Sequence, residues 1–590
     1  MSAELTLTPQ ETPAPAVAAA PAREPRYRTA VVLVALYWGV ILAAAGFEKP
    51  YFVAFLTNLG TAALLTLAFF GWWWSNLRVA LLDRAIGFVL VVGGAAAAVP
   101  LCHRSVGPWG MLMSVMPALL TAWTAWLVLS RKAGPGVRRL GTLAVVAATL
   151  GVFSLVRIDG LDGDLRASMS WRWTPTAEER FMEESAAAAD AGSPSPAWSP
   201  AVSSSDWTAF RGAGRDGVVR GTTIADWKAA APRQVWRRRV GPAWSSVTVV
   251  GDRLFTQEQR GPKEAVVCYE AATGKPLWVH EDEARFDESV SGAGPRATPT
   301  YAGGKLFTFG GTGLLNCLDA GTGKSLWSAR TTEAAGAKPP MWGYSGSPLV
   351  AGGRVIVYAG GDVERGLLGY DVETGKLAWA APAGKFSYSS PQPAAVAGQQ
   401  VCLMVSDYGL FAVNPKTGGA AWQAGKVQEG NPQALQPHVV GKDQLLVGGL
   451  EGTGVTLLDV RSAGGKITPE VRWTSPAVKP EFPDFVVHEG HAYGFDQGAF
   501  CCLDLENGKR CWKKGRYGRG QVVLLADQAL LLAVTEKGEA VLLSADPTKH
   551  EERGRFQAIE GKTWNHPVVV RGRLYVRNAE EMACYELPSR

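Results

Sequence analysis

Asp319-Ala-Gly-Thr-Gly-Lys-Ser-Leu-Trp327 is one of five copies of a phrase that decides the fold. The others are Glu270-Ala-Ala-Thr-Gly-Lys-Pro-Leu-Trp278, Asp371-Val-Glu-Thr-Gly-Lys-Leu-Ala-Trp379, Asn414-Pro-Lys-Thr-Gly-Gly-Ala-Ala-Trp422 and Asp504-Leu-Glu-Asn-Gly-Lys-Arg-Cys-Trp512. A phrase repeated at a near-constant interval marks a repeat architecture. Upstream of each copy run alternating apolar residues broken by glycine pairs. Ser347-Pro-Leu-Val-Ala-Gly-Gly-Arg-Val-Ile-Val-Tyr358 is an example, and it reads as two strands joined by a tight turn. Each unit is therefore four short strands. Aromatic marks at Trp236, Trp278, Trp327, Trp379, Trp422, Trp473, Trp512 and Phe556 step by 39 to 52 residues, the period of a propeller blade. Val235 to Val240 is an outer strand with no strands before it, and the last unit stops at Leu587 after its third strand. The orphan strand completes that last blade, so the chain ends close the ring and remove the exposed edges. The expectation is eight blades over residues 206–590, lead-in included.

Ahead of the repeat, five apolar stretches approach membrane-spanning length: Thr29 to Phe47, Tyr51 to Trp74, Ala85 to Cys102, Trp109 to Ser130 and Leu140 to Val156. None separates a polar face at helical spacing, as a soluble bundle would. Positive residues are retained on the cytoplasmic side. Arg23, Arg26 and Arg28 precede span one, Arg78 and Arg84 follow span two, and Arg131, Lys132, Arg138 and Arg139 follow span four. Five spans with the N-terminus inside then place everything after Arg157 outside the cytoplasm. Trp72, Trp73, Trp74 and Trp109 fall at span ends, where amphipathic rings favour the headgroup level. A signal peptide ending near Ala43 to Ala45 fits the first span by pattern, and four further spans favour an uncleaved anchor. Residues 1–28, rich in Ala, Pro and Thr, read as a disordered cytoplasmic tail, and 29–156 as the transmembrane domain. Residues 157–205 read as a juxtamembrane segment and an Ala/Ser/Pro linker over Ser185 to Ser205. Within that segment Met169 to Glu184 reads as a stretch lying on the membrane surface.

Composition agrees with two unlike parts. Of 590 residues 47% are hydrophobic and only 19% charged, which excludes a disordered chain. Lys plus Arg number 59 against 53 Asp plus Glu, a net +6 with no local basic stripe, which argues against a nucleic-acid partner. Eight cysteines do not make a disulfide scaffold. A length prior of about 150 residues per domain allows about four domains, and the single ring reduces that to two.

The Asp-x-x-Thr-Gly-Lys-x-x-Trp phrase resembles the repeat of the pyrroloquinoline-quinone (PQQ) propeller superfamily, over Trp236 to Leu587. That superfamily includes quinoprotein dehydrogenases and an outer-membrane assembly lipoprotein that binds no cofactor. Five spans before eight blades also resemble membrane-bound quinoprotein glucose dehydrogenase. The lead-in Asp206-Trp-Thr-Ala-Phe-Arg-Gly-Ala-Gly-Arg-Asp-Gly217 and Trp564-Asn-His-Pro567 are similar to a bacterial branch labelled PQQ-binding-like. The resemblance implies an all-β eight-bladed PQQ-type propeller preceded by an all-α transmembrane domain of about five helices. It also implies a bacterial inner (cytoplasmic) membrane location with the propeller on the periplasmic side.

Strand order fixes which loops share the usual ligand face. Aligning the inner-strand starts puts Ser246, Thr298, Ser347, Ser390, Gln436, Phe485, Gln521 and His566 around the channel mouth, seven of the eight being polar. Loops after the second strands add Glu258, Arg260, Asp407, Glu451, Asp496, Glu536, Arg577, Asn578 and Glu580. Arg296, Trp342, Asp484, Arg519, Trp564 and Asn565 lie on neighbouring loops. A PQQ dehydrogenase needs a hard cation held by oxygens, a carboxylate base, donors for the quinone carboxylates and flat groups against the ring. Through the resemblance, Asp496 and Asp407 are the candidate bases, with PQQ and Ca²⁺ as cofactors and membrane quinone as electron acceptor. Any polar channel mouth offers the same residue types, and the blades here lack the long inserts that deepen the dehydrogenase pocket.

Four patterns are set aside. Cys501-Cys502 is similar to the adjacent-cysteine disulfide of some quinoprotein alcohol dehydrogenases. However, Cys268, Cys317, Cys502 and Cys584 all fall two residues before the acidic residue of the phrase, on a third strand where small apolar groups pack. Strand neighbours point to opposite faces, which favours structural thiols. Gly212-x-Gly214-x-x-Gly217 lacks the strand and helix of a dinucleotide site, and Gly323-Lys324-Ser325 lacks the first glycine of a phosphate loop. His488 and His491 bracket a turn at the other end of the blades. No Cys-x-x-Cys-His haem motif occurs. Two functions remain open. One is a membrane-anchored binding or scaffolding propeller taking a protein segment or small ligand at its mouth. The other is a quinoprotein dehydrogenase of alcohols or sugars.

Overall fold

The computed structural model describes residues 27–47, 51–187, 198, 200–288, 290–361, 363–425, 433–449 and 454–589. The tail expected over 1–28, apart from Tyr27 and Arg28, lies outside the described residues, as do most of the Ser185 to Ser205 linker and Glu451. The chain divides into two compact units: the first ends at Arg157, and the second runs from Ile158 and also takes in residues 48–55.

In the first unit five helices are long and apolar enough to cross a membrane: Arg28–Ala45, Val53–Ser75, Leu81–Ala98, Gly107–Leu129 and Pro135–Leu155. The third and fifth begin four or five residues earlier than the sequence suggested. The charges that marked their expected edges lie inside the first turns, where Arg139 Nε pairs with Asp83 Oδ1 at 2.5 Å. The third and fourth helices each carry one wider turn, at Val89–Gly93 and Met111–Val115. Trp73 is not an interface ring: it is buried, and its indole N–H donates to the Arg84 carbonyl at 2.9 Å.

The second unit is the propeller. Eight antiparallel blades follow one another over residues 248–282, 300–330, 349–381, 392–425, 438–475, 486–514, 521–557 and 568–586; each is a four-stranded sheet, and the seventh gains Val218–Val219 as a fifth, parallel strand. The eighth has only three strands of its own, and Arg233–Arg239 supplies the fourth, with Trp236 opposite Cys584. The ring closes as the sequence required.

The recurring phrase is the joint between blades. Except for Trp422, each outer-strand tryptophan reaches the next blade and donates its indole N–H to a carbonyl at the start of that blade's turn. Trp278 donates to Ala320, Trp327 to Val372 and Trp512 to Asp546, at 2.9–3.2 Å. The aspartate folds that turn: Asp319 Oδ1 accepts from the backbone N–H and hydroxyl of Thr322 at 2.8 and 2.7 Å. Glycine follows for two reasons. Gly323 has φ +74°, and a Cβ there would sit 2.4 Å from the Trp278 ring. Blade 5 lacks the phrase in its own turn, and the buried indole N–H of Trp422, which faces it from blade 4, has no hydrogen-bond partner among the described residues.

Two segments outside the blades belong to the same unit. Val156–Leu161 and Ala167–Trp171 form a two-stranded sheet. Helix Ala177–Ala187 starts with a capping box in which Glu179 N–H donates to Thr176 Oγ1 and Thr176 N–H to Glu179 Oε2. This helix docks on the propeller, a correction to the membrane-surface expectation. Phe181 is buried beneath the Arg260 guanidinium, and Glu178 accepts from Gly261 N–H and Arg285, both at 2.8 Å. The apolar ring and the paired carboxylate give it a protein surface to cover.

Candidate functional site

The polar residues at the inner-strand starts form a relay. Each backbone N–H donates to the side chain at the same position in the next blade: Ser246 N to Thr298 Oγ1 at 3.0 Å, Thr298 N to Ser347 Oγ at 2.9 Å, and Ser347 N to Ser390 Oγ at 2.9 Å. Ser390 N then donates to Gln436 Oε1 at 2.6 Å and Gln436 N to Asp484 Oδ1 at 2.8 Å. Ser246 Oγ also donates to the His566 carbonyl at 2.6 Å, across the ring closure. All of these side chains are buried. They satisfy the innermost amide groups, which have no ladder partner towards the axis.

The lead-in fills the channel. Trp207 bridges Val249 of blade 1, Thr208 O accepts from Tyr301 N of blade 2, and Arg215 donates to the Ser347 and Pro348 carbonyls of blade 3. Arg211 pairs with Asp484 of blade 6 at 2.9 Å and also donates to the Phe485 carbonyl at 2.5 Å, while Val218–Val219 runs parallel to Leu524–Leu525 of blade 7. Contacts with so many inner strands place the segment across the propeller axis. Its glycines turn a plug, not a dinucleotide loop. Burial would raise Asp484, yet Arg211 and His438 hold it below the ordinary carboxylate range. Trp207 stacks on His566, and Phe210 meets it edge-on. Burial pushes His566 down to about 3, with Arg211 adding to it. Its Nδ1 faces the Pro567 carbonyl at 2.9 Å.

Above the plug is a cavity of about 250 Å³ to which all eight blades contribute. Its floor includes Phe210, and its wall is aromatic: Trp244 lies 5.0 Å from Trp564, Phe482 5.2 Å from Trp564, and Trp342 5.2 Å from Tyr388. Ser345, Ser347, Ser390, Gln436 and Gln521 add polar atoms. Gly163, at the tip of the 156–171 hairpin, completes the lining. The hairpin is held down by several contacts: Gly163 N–H donates to Glu536 Oε1 at 2.7 Å, Arg519 pairs with Asp164 at 2.7 Å, Lys562 Nζ donates to the Leu161 carbonyl at 2.9 Å, and Leu161 N–H donates to the Val290 carbonyl at 3.1 Å. Lys562 also lies over the Trp564 ring at 4.3 Å, and burial lowers it to about 8. Sequence reading missed both plug and cap. The large rings of Trp207 and Phe210 in a supposed loop were the available signal.

The remaining sequence candidates are dispersed. Arg296 lines the cavity but is spent on the Gly292 and Gly294 carbonyls, Ser291 and Glu288. Glu258 is buried off the cavity with Arg260 at 2.9 Å and Tyr269 at 2.7 Å. Burial opposes its ionisation, and Arg260 and Arg577 overcome it. Arg577 donates to the Gln257 and Gly241 carbonyls, Asn578 to that of Glu560, and Asn565 to that of Ser245. Asp407 accepts from Phe386 N–H at 2.9 Å, and Asp496 from Lys479 N–H at 2.9 Å with Lys513 at 3.1 Å. Neither aspartate lines the cavity.

This donor set does not fit PQQ with a hard cation. Asp484 spends both oxygens on Gln436, His438 and Arg211, and Glu481 both of its own on Arg519. Among the described residues, the two carboxylates on the wall both face arginines, so a cation would have to compete with Arg211 and Arg519 for the same oxygens, and those arginines are not free to meet quinone carboxylates.

Phrase, blade count and self-closure make the β unit an eight-bladed propeller whose repeat is similar to that of the PQQ propellers. Residues 262–514 match the family model described as Outer membrane protein assembly factor BamB. Similar solved structures include BamB from Moraxella catarrhalis, 16% identical over 60% of this chain and 100% of that one, with TM-score 0.44. A europium-containing methanol dehydrogenase is 14% identical over 65% and 98%, with TM-score 0.46. Quinohemoprotein alcohol dehydrogenase ADHIIG from Pseudomonas putida HK5 is 13% identical over 65% and 81%, with TM-score 0.49. No curated protein matches the chain.

Proposed function

We propose that the protein is a membrane-anchored, extracytoplasmic binding module that holds a compact, largely apolar group at the propeller mouth. The group is a small ligand or a side chain of a protein segment. The observation that carries this reading is the pairing of an aromatic cavity with carboxylates already consumed by arginines. Such a wall binds by apolar contact and stacking. The distribution of Lys and Arg supports an N-terminus inside and the propeller on the periplasmic side of a bacterial inner membrane.

The test uses the full chain in detergent, with naphthalene and N-acetyltryptophanamide as probes followed through the fluorescence of the cavity tryptophans. Saturable quenching that disappears in Ser345→Phe, which fills the cavity, is the expected result. No saturation, or equal binding by the filled variant, would overturn it. For topology, a reporter active only outside the cytoplasm, fused after Arg590, is expected to be active.

A further inference from the structure

Four blades carry a cysteine at one structural position, opposite the outer-strand tryptophan. Cys268 faces Trp278, Cys317 faces Trp327, Cys502 faces Trp512 and Cys584 faces Trp236. In each the register slips just after the cysteine, so the outer strand carries one extra residue there. That residue is Leu277, Leu326, Cys511 or Val235. In a bulge two residues of one strand oppose a single residue of the other, which brings the extra side chain beside the cysteine. Three blades therefore set an aliphatic group next to the thiol, and blade 6 sets a second thiol there.

We propose that Cys502 and Cys511 are a redox pair that closes to a disulfide between the third and fourth strands of blade 6. Blade 1 shows the face that the extra residue takes: Leu277 packs against the cluster that holds Cys268 and Trp278. Adjacent strands run about 4.7–4.9 Å apart, within the reach of a disulfide, whose Cα atoms are usually about 4.4–6.8 Å apart. Cys501 is excluded by the pleat: it packs with Leu446 and Leu457 on one face, while Cys502 packs with Tyr493 and Trp512 on the other. Cys511 is exposed and Cys502 buried, which sets the order of events. The Cys511 thiolate attacks a disulfide oxidant such as oxidised glutathione and releases one glutathione thiol. Cys502 then loses its proton, displaces the second glutathione and forms the S–S bond. Two protein thiols are oxidised and one glutathione disulfide is reduced to two thiols.

The experiment takes the full chain in detergent, reduces it, exposes it to oxidised glutathione, alkylates the remaining thiols under denaturing conditions and maps tryptic peptides. Cleavage after Lys509 and Arg510 separates the two cysteines. The expected result is the Cys511-Trp-Lys513 peptide linked to the fragment ending at Lys509, in wild type and in Cys501→Ala, and no link in Cys511→Ser. Fragment ions of the wild-type species locate the bond at Cys502 without any variant. Thiols that stay free, a stable glutathione adduct at Cys511, or a link to Cys501 would each overturn the proposal.

Discussion

The backbone N–H of Thr298 donates to the Ser347 hydroxyl 2.9 Å away, one step of a relay that runs from blade 1 to blade 6. Removing that hydroxyl leaves a buried amide without a partner, at a cost of about 1–3 kcal/mol. Ser347→Ala is therefore expected to lower the unfolding free energy by that amount in denaturant titrations, with unchanged m-value. Ser347→Thr, which keeps the acceptor, is expected to recover most of it.

Gly323 and Gly572 share nearly the same backbone, φ +74° and +72°, but only Gly323 lies under a tryptophan ring. Alanine at Gly572 costs the backbone term alone, about 1 kcal/mol. Alanine at Gly323 adds a collision with Trp278 and is expected to cost at least about 1 kcal/mol more. Thermal melts of the two variants measure the difference, and equal losses would count against the interblade role of the phrase.

Acid should act through His566. Its folded value of about 3 lies below the ordinary 6.5, so as pH falls the unfolded chain takes up the proton first. The stability this group contributes is complete above pH 6.5 and is lost progressively towards pH 3, on the order of 1 kcal/mol per pH unit. His438 is lowered in the same sense by burial and adds to the slope. His566→Gln is expected to flatten this limb in denaturant titrations at stepped pH. An unchanged slope would place the acid sensitivity elsewhere.

Glu536 Oε1 accepts from both Gly163 N–H and the Trp564 indole, at 2.7 and 2.8 Å. Glu536→Ala cuts the cap loose at one end. Hydrogen exchange at residues 161–166 is expected to quicken about tenfold, equivalent to ~1.4 kcal/mol of local opening, while the blade strands keep their protection.

The ring was legible because its joint is written into each repeat. Thr-Gly and Trp are dictated by one turn and one interblade contact, and the orphan strand around Trp236 announced the closure. The mouth was harder to read. Serine and threonine at inner-strand starts look the same whether they face a ligand or a neighbouring amide, and only the assembled ring shows that Thr298 and Ser347 face each other. Arg211 and Arg215 likewise gave no sign of the carbonyls they would meet, because those belong to blades more than a hundred residues away. The cap escaped notice since Gly163 and Asp164 act through tertiary contacts with Glu536 and Arg519, which no local spacing encodes.

The most direct measurement is cofactor retention. The full chain, purified in detergent and incubated with PQQ and Ca²⁺, is desalted, and its absorbance spectrum and dye reduction with alcohols or sugars are recorded. The expected result is no retained PQQ and no substrate-dependent dye reduction, because Asp484 and Glu481 are already paired with Arg211 and Arg519. Stoichiometric retention with turnover would contradict the binding-module reading and make the protein a dehydrogenase.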